Sequence, residues 1–102
     1  MVTRSLARSS HVFGAIADPI RRGILDVLRA GERSAGDIAD RFPVSRPAVS
    51  RHLRVLRRAG LVRERRHLRA RLYSVDGRAL AQVDEWLQPY RLLWLAGERV
   101  TS

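Results

Sequence analysis

Apolar positions along this 102-residue chain recur first with helical spacing, then alternate, then become helical again. Val12, Phe13 and Ile16 mark a short helix from about Ser10 to Ala17. Asp18-Pro19 restarts the chain, because Asp is a favoured N-cap and proline fits the first helical turn. Ile20, Ile24, Leu25 and Leu28 predict a second helix from Pro19 to about Ala30, stopped by Gly31. Arg21 and Arg22 near its start read as surface residues. Ser34 opens a short third helix, with Asp37 in capping-box position and Ala35, Ile38, Ala39 and Phe42 as its apolar set. Pro43-Val44 makes a turn. Ser45 caps a fourth helix with Pro47 in its first turn, and Ala59-Gly60 ends it.

After Gly60 the period changes to two. Leu61-Val62 begins one extended stretch, and Arg71 to Val75 forms another with Tyr73 and Val75 on one face. Glu64 to Ala70 is the expected hairpin tip, bearing Arg65, Arg66, His67 and Arg69. No Gly or Asn there supplies the positive φ of a tight turn, so a tip that is longer or mobile is expected. A two-stranded hairpin is not stable alone and must pack on the helices. Asp76-Gly77 closes the second strand. A last helix runs from about Arg78 through Leu95, with Leu80, Val83, Leu87, Tyr90, Leu93 and Trp94 in its stripe and Trp86 on its flank. Pro89 is expected to kink or split it. The pattern gives one mainly α domain with a small β-hairpin over residues 10–102, its terminal helix over 78–100, after a polar, flexible tail over 1–9.

The fourth helix has two unlike faces. With Val49 at the centre of one, Leu53 and Leu56 fall within roughly 40° of it. Arg46, Pro47, Ser50, Arg51, Arg54, Arg57 and Arg58 crowd the other, with no acid among them. Ordinary exposed helices mix signs and form i,i+4 pairs. Charge makes the contrast sharper. The formal net charge is +10, and every cationic side chain apart from histidine is Arg. Between Arg46 and Arg71 lie ten Arg and one acid, Glu64, whereas the rest of the chain carries ten Arg and nine acids. A basic patch of this kind is the electrostatic footprint of a nucleic-acid binder. An anionic membrane surface or an acidic protein would also suit it. A short helix, a tight turn and a longer helix with a basic outer face form a helix-turn-helix, and a basic hairpin behind it is a wing.

Other chemistry is poorly provided for. There is no cysteine, which excludes disulfides, thiolate metal sites and thiol redox chemistry. His11, His52 and His67 lie on three distant elements, so no metal site is predicted. No His stands near a Ser and an acid in a predicted cleft, and no glycine-rich phosphate loop follows a strand. No enzyme activity and no cofactor are therefore expected. No apolar run approaches the ~20 residues that span a bilayer, and the first ten residues lack a signal-like apolar core. A cytoplasmic protein without a membrane partner is the expectation.

From Phe13 to Tyr73 the chain resembles the winged-helix repressors of the arsenic-repressor (ArsR/SmtB-type) family. The carrying residues are A-D-P-I-R-R from Ala17, A-G-D-I-A from Ala35, S-R-P-A-V-S-R-H-L from Ser45, L-R-R-A-G-L-V from Leu56 and L-Y-S-V from Leu72. E-W-L-Q-P-Y-R-L-L-W from Glu85 is similar to a subgroup that does not sense metals. The resemblance implies a homodimer built from the first and last helices, reading a palindromic operator in double-stranded DNA and usually repressing. Metal-sensing members use Cys in the first helix of the helix-turn-helix, or Asp and His along the last helix. Here the former has no Cys and the latter no His, so no metal site carries over.

The helix from Ser45 would then enter the major groove. Ser45, Arg46, Pro47, Ser50, Arg51, His52 and Arg54 are its candidate contacts. His52 sits at the edge of the packing face, where packing and hydrogen bonding compete with base reading. Arg57, Arg58, Arg65, Arg66, Arg69 and Arg71 are candidate phosphate contacts, on the helix end and the wing. Val12, Phe13, Ile16, Val83, Trp86, Leu87, Tyr90, Leu93 and Trp94 are the candidate dimer interface, since large aromatics beyond the core's need mark an interface. Two other readings stay open at this point: a regulator sensing a small molecule or protein at the seam of Trp86, Tyr90 and Trp94, and a nonspecific nucleic-acid binder. The effector, the operator and the regulated genes are not legible in the chain.

Overall fold

Local signals set the helix ends in the computed structural model, which describes residues 11–95. Helix α1 covers 11–16, and α2 covers Pro19–Arg29. Between them Asp18 takes an extended conformation and accepts a hydrogen bond from the Arg21 backbone N–H at 3.0 Å. That bond draws the Asp18 carboxyl below its ordinary pKa. Arg21 and Arg22, expected as plain surface residues, turn back onto α1. Arg21 donates through Nε to the Ala15 carbonyl at 2.7 Å and through Nη2 to that of Gly14 at 3.1 Å; Arg22 donates to that of Ile16 at 2.8 Å. These carbonyls end α1, where that of Gly14 also accepts from the Ala17 N–H at 3.3 Å, so the two arginines cap the helix.

A two-residue strand β1 (Arg33–Ser34) leads into α3 (Ala35–Ala39). Ser34 caps α3 by accepting from the Asp37 N–H at 3.1 Å. The other half of the expected capping box is replaced: the Asp37 carboxylate goes to Arg33, at 3.0 Å. Helix α4 (Arg46–Arg58) follows, capped by Ser45 at its start. At its end the Leu61 N–H reaches the Leu56 carbonyl at 2.9 Å and the Gly60 N–H reaches that of Arg57 at 3.0 Å. This is a Schellman motif, and Gly60 supplies its left-handed residue at φ +78.

Strands β2 (Val62–His67) and β3 (Ala70–Val75) pair antiparallel over their whole length, Val62 against Val75 and His67 against Ala70. The tip is therefore two residues, Leu68-Arg69, and not the seven-residue stretch expected. Leu68 takes φ +56 in the place of the missing glycine. The sheet also has a third strand that the pattern did not predict: β1 pairs with β3, giving the order β1-β3-β2. Past β3, a 3₁₀ turn (Gly77–Leu80) precedes α5 (Ala81–Leu87). A second 3₁₀ turn (Gln88–Tyr90) around Pro89 splits α5 from the helical residues 91–95, as expected of a proline without an N–H. The tail over 1–9 and the end of the predicted terminal helix lie outside the described residues.

Ile24 and Leu28 of α2, Ile38 of α3, Val49, Leu53 and Leu56 of α4, Leu61 just before β2, and Val62 and Tyr73 of the sheet form one buried core, joined by Val12 and Ala15 of α1. This core holds α4 by its apolar stripe and leaves its basic face outside. Gly23 on α2 lets the Phe42 ring come close. A Cβ at residue 23 would stand 2.8 Å from Phe42 Cε1.

Candidate nucleic-acid interface

Because Val49, Leu53 and Leu56 point into the core, helical geometry turns Ser50, Arg51, Arg54, Arg57 and Arg58 to solvent, and all five are exposed. Ser45, Arg46 and Pro47 at the helix start are exposed too. Among the described residues Arg51, Arg54 and Arg58 have no acidic partner. Arg46 lies 3.9 Å from Asp40, and its guanidinium sits beside Gly36.

His52 is placed differently. It is half-buried against α2, with Nδ1 3.1 Å from Arg21 Nη1 and 4.0 Å from Asp18 Oδ2. Arginine only donates, so Nδ1 accepts. His52 thus links α4 to the α1–α2 junction, the packing alternative of the two open from its wheel position.

The wing stands beside α4. Glu64 and Tyr73 face each other in the β2–β3 register, so their side chains share one face of the sheet. The Tyr73 hydroxyl donates to Glu64 Oε2 at 2.7 Å. Burial first, and then this bond, push the Tyr73 phenol above its ordinary pKa. Glu64 also receives Arg57 of α4, Nη1 to Oε1 at 3.2 Å, and Arg71 of β3, Nη1 to Oε2 at 4.0 Å. The group borders a cleft of about 210 Å³ that Ser50, Leu53 and Arg54 also line. Sequence reading missed this role of Glu64. The available signal was that Glu64 is the one acid inside the basic stretch.

The wing arginines divide by strand face. Arg65 lies on the face opposite Glu64 and grips Glu32 with two hydrogen bonds of 2.7 and 2.8 Å. The pair raises the Arg65 pKa and lowers that of Glu32, chiefly through those bonds. Arg66 and Arg69 have no acidic partner among the described residues, and both are exposed, as is His67. Of the candidate phosphate contacts, Arg58, Arg66 and Arg69 are thus open. Arg57 and Arg71 share one carboxylate, and Arg65 is held by another.

A helix-turn-helix domain model matches residues 16–65. The transcriptional repressor SdpR of Bacillus subtilis is 40% identical over 78 residues, which make up 76% of this chain and 87% of that protein. The crystal structure of an ArsR-family transcriptional regulator superposes with a TM-score of 0.78 at 27% identity, covering 86% of this chain and 91% of that one. The homodimeric winged helix-turn-helix DNA-binding domain of a possible ArsR-family regulator from Mycobacterium bovis superposes with a TM-score of 0.72 at 29% identity, over 87% and 82% of the two chains. The chain belongs to the ArsR/SmtB family.

As a member of that family it is a DNA-binding transcriptional regulator and not an enzyme. Among its described residues no three His, Asp or Glu side chains are grouped to hold a metal ion. No helix among them is long and apolar enough to cross a membrane.

The ArsR/SmtB regulator keeps its other exposed feature at the C-terminal end. Trp86 is 54% exposed, and Tyr90, Leu92, Leu93, Trp94 and Leu95 are exposed as well. Phe13 of α1 meets Trp86 edge to face at 5.7 Å, and Trp86 meets Tyr90 at 5.0 Å, so α1 and α5 share one aromatic surface. Ile16, Val83 and Leu87 are half-buried, the first two packing against the core. One candidate interface residue is corrected. Val12 is 1% exposed inside the core of the single chain, so it has no surface to offer a partner. Leu92 and Leu95 are the exposed apolar residues that the stripe omitted.

Proposed function

We propose that the chain is a homodimeric repressor that reads a palindromic operator in double-stranded DNA and acts in the cytoplasm. The observation that carries this reading is the face of α4 bearing Arg51 and Arg54, exposed, free of acidic partners among the described residues and backed by a fully buried stripe. Such a helix enters a major groove as a rigid body. Ser50, Arg51 and Arg54, with Ser45, Arg46 and Pro47 at the helix start, meet base edges. Arg58, Arg66 and Arg69 meet phosphates. The Phe13–Trp86–Tyr90 surface with Leu93 and Trp94 is covered by a second copy, and a two-fold dimer sets its recognition helices about 34–36 Å apart, one DNA turn. The homodimeric state of the M. bovis domain supports that choice of partner.

Selection of genomic fragments by the purified protein tests the reading. Recovery of a palindrome about two helical turns long is expected. Recovery of random fragments, bound only at low salt, would replace it with nonspecific binding. Arg51→Ala is expected to flatten sequence preference, with ~1–3 kcal/mol of base discrimination lost. Arg69→Ala is expected to weaken binding to all duplexes alike and to lower the salt slope by about one. Parallel losses without a change in preference would show that the roles are wrongly divided.

A further inference from the structure

Glu64 is misplaced for a protein that holds phosphates. It stands inside the basic face, beside Arg57 and Arg71, and its charge repels the DNA backbone. Yet it is firmly held: its register partner Tyr73 is 7% exposed and donates to it at 2.7 Å. Two guanidiniums from different elements face it through Nη1, Arg57 of α4 at 3.2 Å and Arg71 of β3 at 4.0 Å. These contacts are ion pairs, and a guanidinium has five N–H donors, so each arginine keeps N–H groups for a second acceptor. The cleft beside the three residues is open and polar, with Ser50 and Arg54 on its α4 side.

We propose that Glu64 is a specificity-determining residue that acts by positioning Arg57 and Arg71. The carboxylate fixes both guanidiniums at one spacing between recognition helix and wing. A duplex seated by base contacts from Arg51 and Arg54 brings a phosphate to that spacing and finds the remaining N–H groups already oriented. A duplex without those base contacts is held by phosphates alone, in many poses. Against such poses Glu64 restrains two arginines and adds repulsion. It therefore weakens general binding more than operator binding. The inference rests on the operator reading above.

The test uses the full chain and two fluorescent duplexes, the fragment recovered by selection and its scrambled sequence, titrated by anisotropy over a series of salt concentrations. Glu64→Gln removes the charge and keeps an acceptor for Tyr73. It is expected to bind the scrambled duplex several-fold tighter. Its salt slope on that duplex should steepen by about one to two units, from the two released arginines. The ratio of selected to scrambled affinity should fall. An unchanged scrambled affinity and slope, or an equal weakening on both duplexes, would overturn the proposal; the second result would make Glu64 a wing support only. Should Glu64→Gln not fold, the wild-type background still decides. Arg57→Gln should then cost less affinity for scrambled DNA than Arg54→Gln, because Arg57 is restrained and Arg54 is not; equal costs would overturn the proposal. A wild type that cannot tell the two duplexes apart would overturn the operator reading and this inference with it. A discriminating wild type with an unchanged Glu64→Gln ratio would overturn this inference alone.

Discussion

The recognition half and the C-terminal half both carry amphipathic helical stripes, and only the first finds its partner within the chain. Val49, Leu53 and Leu56 of α4 are at most 2% exposed, enclosed by α2, α3 and the sheet. Trp86, Tyr90, Leu92, Leu93, Trp94 and Leu95 are 43–75% exposed, although they are as large and as apolar. The difference lies in what surrounds each stripe. Residues 11–80 wrap α4 on its apolar side and leave one arginine face free. The C-terminal stripe comes after the core is complete and covers only part of itself, through Phe13 and Trp86. A contiguous apolar surface of this kind marks an interaction site, and the proposed occupant is a second copy.

The sharpest way to break this comparison is to delete the same atoms from both halves. Leu53→Ala is expected to cost ~2–5 kcal/mol of unfolding free energy, from lost burial and the cavity left behind. Leu93, 69% exposed, is expected to cost the dilute single chain less than about 0.5 kcal/mol. Leu93→Ala should instead weaken self-association. Urea unfolding at two protein concentrations, with sedimentation of the native protein, separates the two effects. Equal losses at both sites, independent of concentration, would mean that the C-terminal stripe is ordinary core.

Which parts were legible in the chain follows from the range of the interactions. Helix α4 was readable because its caps, Ser45 and Gly60, and its three-residue stripe are all local. Strand β1 was not: Arg33-Ser34 has no apolar signal, and its pairing partner, Tyr73-Leu72, lies far along the chain. The ties Arg65–Glu32 and Arg21–His52 span more than thirty residues and leave no mark in spacing. Val12 and Phe13 are neighbours in one short helix. A periodic pattern does not say which one enters the core and which one meets Trp86. The tight hairpin tip was hidden for another reason. Pairing from Val62–Val75 outward fixes the register, and the register imposes positive φ on a leucine against its own preference.

Tight closure around α4 leads to the next expected effect. Alanine in place of glycine inside a helix ordinarily gains about 1 kcal/mol. At Gly23 the added Cβ would meet Phe42 Cε1 at 2.8 Å and Cζ at 3.3 Å. Gly23→Ala is therefore expected to destabilise by a net ~1–2 kcal/mol as the half-buried Phe42 ring is displaced. A gain in the urea midpoint would show that the recognition half has slack, and would blur its contrast with the C-terminal half.

Asp76 joins the two halves, at the end of β3 and the start of the 3₁₀ turn. Its carboxylate accepts from Arg78, through both backbone and side chain, and from Arg63. Arg78 contributes most, and together these bonds hold the carboxyl well below the usual carboxylate range. A depressed folded pKa gives stability that is present above the unfolded value, about 4. That stability is lost as pH falls from there through the folded value. Asp76→Asn is expected to lower the urea midpoint at neutral pH, and the wild-type and variant midpoints should converge in acid. Parallel curves down to the lowest pH would show that Asp76 does not couple the halves through its charge. Asp18 and Glu32 are lowered in the same direction, so both curves should still slope.

The smallest effect is expected at the wing tip, where Leu68 is 86% exposed. It is as bare as any C-terminal leucine, yet it stands alone between His67 and Arg69, and a single exposed apolar residue marks no interface. Its cost is in the backbone: φ +56 disfavours a side chain with Cβ by ~1–2 kcal/mol. Leu68→Gly removes that cost but loosens the unfolded chain, which offsets up to about 1 kcal/mol. A net gain of at most about 1 kcal/mol in thermal or urea unfolding is expected, with self-association unchanged. Lower self-association would place the wing tip with the C-terminal stripe as part of one contact surface. A loss of stability would mean that the leucine side chain holds the hairpin together, despite its exposure.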